Sequence, residues 1–297
     1  MSLEILTSCP LCGAASLAKL IQSKDYTLTG ESFTIDRCEQ CDFAFTNPRP
    51  FVDQLDKYYQ TEKYISHSNK SNSLFDRIYF IARNINLNHK KNLIEQYKKT
   101  GNVLDYGCGT GSFLKYLSVK GWKCYGVEPS ETARSIASQE TNISIYNSLE
   151  KLPSIQFDVI TLWHVMEHIP DFVDKAKRLS ALLKKDGILM IAVPNYESPD
   201  AVKYGSVWAG YDVPRHLSHF SKSTMRRLLV NSSLKLISTI PLKLDAYYVS
   251  LLSETYLHPN QNKLLSSVYA IIAGLSSNWK ARKNLNHSSL IYIAQAE

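Results

Sequence analysis

No run of uninterrupted apolar residues in this chain reaches the ~18 that a membrane span needs, and none follows a basic N-terminal segment. The expectation is therefore a cytoplasmic protein without membrane anchor or secretory leader. Repeats and low-complexity tracts are missing too, which argues against solenoid and disordered classes. Charge of one sign is not dominant: 34 Lys and Arg stand against 27 Asp and Glu, a net charge of +7. The cations fall in small clusters (Lys90-Lys91, Lys98-Lys99 and Lys280 to Lys283) and not in a stripe, so the pattern points away from nucleic acid. Cysteine is scarce, with 6 in 297 residues, and its placement carries more information than its number. What is present, a hydrophobic content of 44%, can build one main core plus a small appendage.

The most specific segment is Val103-Leu-Asp-Tyr-Gly-Cys-Gly-Thr-Gly111, followed one helix length later by Val127-Glu128. A buried strand runs into three glycines at alternate positions, where a backbone without Cβ atoms can turn sharply against a ligand. A helix must start near Ser112, and a second strand, Lys123 to Val127, ends in a carboxylate suited to a ribose diol. Dinucleotide enzymes share this plan but space their glycines Gly-x-Gly-x-x-Gly, whereas Ser112 stands here at the last position. Asp105, two residues before the turn, would repel a pyrophosphate but attract an ammonium or sulfonium. The run resembles motif I of the class I S-adenosylmethionine-dependent methyltransferases. That resemblance implies an enzyme with S-adenosylmethionine as cofactor, on a Rossmann-like, doubly wound, mostly parallel seven-stranded sheet with an antiparallel edge strand. It also implies cofactor contacts at Asp105, Gly107, Cys108, Gly109, Gly111, Glu128, Ser148, Leu149, Trp163 and His164. Ser148 departs from the acid that the family often has there, which shifts the adenine contact toward the backbone of Leu149. Residues 101 to 240 as a whole resemble the bacterial group that includes the ubiquinone-biosynthesis O-methyltransferases.

Four cysteines form two hooks, Cys9-Pro-Leu-Cys12 and Cys38-Glu-Gln-Cys41, separated by a segment long enough for a β-hairpin. Two Cys-x-x-Cys hooks complete the four-sulfur shell of structural Zn²⁺ and leave no open position for an activated water. A redox motif would need only one hook. Cys108 and Cys124 stand apart and read as small buried residues. The domain reading is a zinc-ribbon-like module over 1–50, a helical entry segment over 51–100, and the main domain over 101–297 with a helical insertion at 245–288. Phe43 to Pro50 reads as a linker because of its prolines. Alternating strand and helix patterns from Val103 onward imply a parallel sheet, and Leu290 to Ala294 is expected to be its antiparallel edge strand. In the insertion, Leu264, Leu265, Val268, Tyr269, Ile271, Ile272, Leu275 and Trp279 recur at helical spacing before Lys280, Arg282 and Lys283. The choices are a lid or dimer helix packed on the main domain, in a monomer or a homodimer, and a peripheral membrane contact.

In open parallel sheets ligands bind beyond the carboxyl ends of the strands. Trp163-His164-Val-Met-Glu167-His168 lies at such an end. His164-x-x-Glu167-His168 spells an inverted zinc-protease motif, but that motif needs one continuous helix and His164 ends a strand. A base that removes a hydroxyl proton suits a methyl acceptor, so His164 is the first candidate, with His216 and His219 from Trp208 to Phe220 as alternatives. Arg215 could bind an anionic acceptor, and Tyr58, Tyr59, Tyr64 and His67 could form an opposite wall. The expected partner is a small-molecule or glycan acceptor, methylated on a hydroxyl oxygen. A ribosomal RNA base methyltransferase is an alternative, against which stands the lack of an Asn-Pro-Pro-Tyr segment for a flipped base. A sugar C-methyltransferase and a zinc-stabilised binding module with a vestigial pocket are the others.

Overall fold

The protein is described by a computed structural model covering residues 3–59 and 74–296, with backbone alone described for 74–83. Tyr64 and His67 lie outside the described residues. Among the described residues thirteen strands follow in chain order: β1 (Leu3–Glu4), β2 (Leu17–Lys24), β3 (Ser32–Cys38), β4 (Ala44–Thr46), β5 (Arg49–Pro50), β6 (Asn102–Tyr106), β7 (Lys123–Val127), β8 (Ile145–Tyr146), β9 (Phe157–Trp163), β10 (Leu183–Pro194), β11 (Ser218–His219), β12 (Leu234–Pro241) and β13 (Ser289–Ala296). The seven-stranded sheet has the order β12-β13-β10-β9-β6-β7-β8, and its β6–β7, β6–β9 and β7–β8 ladders are parallel. This is the expected Rossmann-like, mostly parallel arrangement. The last strand, however, lies one place inside the edge, and β12 takes the edge itself. Contact density divides the chain into two compact units, residues 1–61, 164–177 and 191–293, and residues 62–163, 178–190 and 294–297.

In the second unit the central strands are buried on both faces: Val103, Leu104, Val159, Ile160 and Leu162 are all fully covered. Strands buried on both faces are rich in apolar residues, which is why β6, β7 and β9 were legible to within a residue. The start of β6 is pinned by Asp158, whose carboxylate accepts from the Asn102 N–H at 2.7 Å and pairs with Lys184 at 2.8 Å. One helix, Leu74–Glu95, stands in place of the two-helix alternative, and Leu93 and Ile94 are buried while Ile85 is exposed.

In the first unit, the hairpin between the cysteine hooks is β2–β3, extended by β4 and then β11 into a four-stranded antiparallel sheet. Ala44–Thr46 is therefore strand, and residues 43–46 are core and not linker: Phe43, Ala44, Phe45 and Thr46 are buried, and Phe43 packs against Phe172 and Phe220. Their apolar side chains outweighed the turn signal of the prolines behind them.

Arg215 locks this unit. Its guanidinium is 5% exposed and donates to both carboxylate oxygens of Asp212, to Asp25 at 2.9 Å and to the Tyr58 carbonyl at 3.1 Å. Every donor direction used is thus spent inside the protein, and the side chain is a clamp and not a receptor for an anionic acceptor. Removing one partner of such a buried set would leave an uncompensated charge, a loss on the order of 3–5 kcal/mol.

Candidate functional site

The glycine turn sits in the second unit and is built by backbone geometry. Gly107, Gly109 and Gly111 have φ of 76°, 53° and 75°, all in the left-handed region where a Cβ is penalised. At Gly111 a Cβ would also come within 2.8 Å of Thr141, so side-chain packing forbids it, whereas at Gly109 a Cβ would meet nothing within 4 Å. The turn is tied to β7 because Gly107 N–H and Cys108 N–H both donate to the Val127 carbonyl, at 2.7 and 3.2 Å. One residue further, the Glu128 carboxylate accepts from Gly109 N–H and from Ser130 N–H, each at 2.9 Å. Two backbone donors thus orient this carboxylate at the mouth of the turn.

Asp105 is 3% exposed and accepts from the Thr161 hydroxyl at 2.7 Å. Burial raises its carboxyl to about 6, against the opposing pull of Thr161 and of the Lys90 ammonium. A cation arriving nearby would favour the ionised form. Lys90 itself lies 4.5 Å from the centroid of the Trp163 ring, and Phe113 meets that ring edge-on at 5.8 Å. The Trp163 indole N–H is buried with no hydrogen-bond partner among the described residues. Leu149 is buried at the start of a short 3₁₀ turn, as an apolar contact to a heterocycle requires. Ser148 and Arg178 hold the neighbouring Glu150 carboxyl down at about 2. Burial pushes the Cys124 thiol up to about 12 and raises Cys108 as well, so neither is an activated nucleophile.

The candidate bases belong to the first unit and differ sharply in access. His219 is 4% exposed with Nε2 3.1 Å from the Thr46 hydroxyl, and burial pushes its pKa well below the usual imidazole range. His216 is 9% exposed and donates from Nδ1 to the Gly210 carbonyl at 2.9 Å. His164 keeps 38% of its side chain exposed. Its backbone has φ of 57°, rare for a residue with a Cβ, and is held there by its N–H bond to the Ala192 carbonyl at 2.9 Å. The ring lies between two carboxylates, Nε2 at 3.1 Å from Asp245 and Nδ1 at 3.4 Å from Glu167. The Glu167 contact is an ion pair without hydrogen-bond geometry, since both oxygens of that buried carboxylate lack a hydrogen-bond partner among the described residues. Burial would lower the pKa of His164, but Asp245 and Glu167 outweigh it and raise it to about 10.

Among the described residues two groups of side chains have the donor sets of metal sites. The hooks close as matching knuckles, with Gly13 N–H donating to the Cys9 carbonyl at 2.8 Å and Asp42 N–H to the Cys38 carbonyl at 2.9 Å. They bring Cys9 and Cys41 sulfurs to 3.6 Å and Cys12 and Cys38 sulfurs to 3.6 Å, with all four within 4.8 Å. A tetrahedral zinc with Zn–S near ~2.3 Å needs sulfurs ~3.8 Å apart, so the residues fit. The second group is Glu167, His168 and His216, also within 4.8 Å of one another. His168 Nδ1 lies 3.0 Å from the Arg215 carbonyl and 3.0 Å from the Tyr59 hydroxyl. A carbonyl can only accept, so Nδ1 carries a proton in both histidines.

Several of these residues escaped sequence reasoning. Asp245, Thr161 and Lys90 had no local signal, because each reaches its partner across a long stretch of chain. Glu167 was visible in the motif, but its burial was not.

A methyltransferase-domain family model matches residues 75–239. Curated relatives include the ubiquinone biosynthesis O-methyltransferases of Bradyrhizobium diazoefficiens, 31% identical over 100 residues, and of Actinobacillus pleuropneumoniae serotype 5b, 35% identical over 107 residues. Each alignment covers 31% of this chain, and the chain spans 40% and 45% of the length of those two proteins. Among solved structures, magnesium protoporphyrin IX methyltransferase from Synechocystis PCC 6803 with bound SAH is similar at a TM-score of 0.53 and 13% identity, covering 83% of this chain and 100% of that one. At that identity the likeness speaks for the fold. With more than half of its residues matched by the family model, the chain belongs to the methyltransferase domain family.

Proposed function

We propose that the protein is an S-adenosylmethionine-dependent methyltransferase that alkylates a hydroxyl oxygen of a small-molecule or glycan acceptor. The observation that carries the reading is Glu128, a carboxylate oriented by the Gly109 and Ser130 N–H groups beside a turn of left-handed glycines. A paired diol is what such a carboxylate binds best, and the open space above Gly109 leaves room for the cofactor's close approach. Buried Asp105 favours a cationic ligand over a pyrophosphate, which separates this site from a dinucleotide site. The names of the curated relatives support oxygen as the acceptor atom.

When bound, S-adenosylmethionine supplies an electrophilic methyl on a sulfonium. The chain's residues orient the two reactants and handle the acceptor's proton. Of the three candidate histidines, His164 has the accessible ring. In the resting arrangement its Nε2 is occupied by Asp245, which makes it a cation. An acceptor hydroxyl that displaces Asp245 leaves the imidazole paired with Glu167 alone. The pKa then falls, the Nε2 proton leaves with Asp245 or to solvent, and the freed Nε2 would accept the proton of the acceptor hydroxyl. The four cysteine thiolates would hold a structural Zn²⁺, and through it Cys9 and Cys12 before β2 would be tied to Cys38 and Cys41 at the end of β3. Such thiolates suit the reducing cytoplasm.

Glu128→Ala should weaken S-adenosylmethionine binding by about 1–3 kcal/mol with little change in melting temperature. Calorimetric titration of both proteins checks this, and equal affinities would remove Glu128 from the site. For His164, the sign follows from its two carboxylates. They raise its pKa from 6.5 to about 10, so Asp245→Asn should lower it and populate the neutral ring at lower pH. NMR titration of the ring should show a fall of about one unit or more, and an unmoved value would contradict the pairing. Elemental analysis should find one zinc per chain, lost in Cys38→Ser, and a zinc-free intact protein would refute the metal assignment.

A further inference from the structure

The helices Asp245–Leu257 and Lys263–Ala281 are built inside out. On the longer one the inward face is small: Ser266, Ala270, Ala273, Gly274 and Ser277 are buried. Gly274 is required by that packing, because a Cβ there would come within 2.6 Å of the Tyr247 ring. The outward face is large and apolar, with Leu264 at 74%, Ile271 at 52%, Ile272 at 57%, Leu275 at 55% and Trp279 at 66% exposure. Leu251 and Leu257 of the shorter helix are exposed as well. Single exposed apolar residues are ordinary, but a continuous face of them marks a surface that something covers.

Charge decides what covers it. The longer helix contains no Asp or Glu, and exposed Lys263, Lys280, Arg282 and Lys283 flank its apolar face. Lys243 is brought to the same end as Lys280, since Asn278 donates to its carbonyl at 2.9 Å. The two acids of the shorter helix are engaged, Asp245 with His164 and Glu254 beneath the Tyr204 hydroxyl at 2.8 Å. Two copies joined across this face would therefore set cation against cation with no exposed acid on either helix to answer them. An anionic lipid surface meets both demands: acyl chains for the leucines and isoleucines, headgroups for the flanking cations, and the interface for Trp279. Crossing is not involved, because among the described residues no helix is long and apolar enough to span a membrane. The helix pair also lies beyond residues 75–239, so it is not part of what the methyltransferase family model matches.

We propose that this helix pair is a peripheral docking face for anionic bilayers. The inference stands on geometry and charge and does not rest on the activity proposed above. Flotation of the full chain with phosphatidylcholine vesicles, with and without about one-third phosphatidylglycerol, tests it. Binding to the anionic vesicles should exceed binding to neutral ones by about tenfold or more, and should fall in high salt. The doubly substituted Ile272→Glu, Leu275→Glu protein should stay unbound while keeping its melting temperature. Lys280→Glu with Arg282→Glu, which leaves the apolar face intact, should lose the preference for phosphatidylglycerol. Failure of the unmodified protein to float, or flotation undiminished in the double variant, would overturn the proposal. So would a dimer seen by light scattering that the double variant dissolves, with no vesicle binding, for then a second copy covers the face.

Discussion

The Val127 carbonyl and the Glu128 carboxylate together receive three N–H groups of one glycine turn, and the cofactor chemistry depends on that handshake. The parallel register of β6 and β7 sets it up, since Tyr106 stands opposite Val127 and the two strands therefore end at the same level. Left-handed glycines let the chain reverse within a few residues. The second strand delivers its acid where the reversal opens. If the register slipped by one residue, the carboxylate would point to the opposite face of the sheet and the turn would lose its partner.

A different economy governs the first unit. Its polar centre is organised around paired charges: Arg215 with Asp25 and Asp212, and the half-exposed His164 with Glu167 and Asp245. Such groups contribute little net stability when complete but are costly when broken, so they specify one arrangement of the loop that carries His216 and His219. The same logic reassigns Arg215 from ligand binding to architecture. The buried His216 and His219 face protein partners in the same way, whereas the ring of His164 keeps a solvent-accessible side.

Local features were legible in the chain. Glycines at alternate positions, an acid after the next strand, and cysteines in pairs each encode their geometry within a few residues, and the structure forms the turn and gathers all four sulfurs. Strands buried on both faces were read correctly for a related reason, since largely apolar stretches such as Phe157 to Trp163 leave little ambiguity. What was hidden is long-range. Asp25 meets Arg215 across 190 residues, and no pattern in either segment announces the other. Phe43 to Thr46 looked like a linker because local turn chemistry was weighed without the aromatic core that claims those side chains. Helical spacing at 264–279 showed that an apolar face exists, but spacing cannot say whether that face turns inward. Here the small residues turned in and the large ones out.

The central claim is that residues 103–128 form a pocket for a methylated sulfonium donor and for no other adenosine cofactor. Equilibrium dialysis of the intact protein against labelled S-adenosylmethionine, with NADH as competitor, tests it most directly. The account predicts one saturable site per chain that NADH does not displace. Saturable binding of NADH with none of S-adenosylmethionine would contradict it.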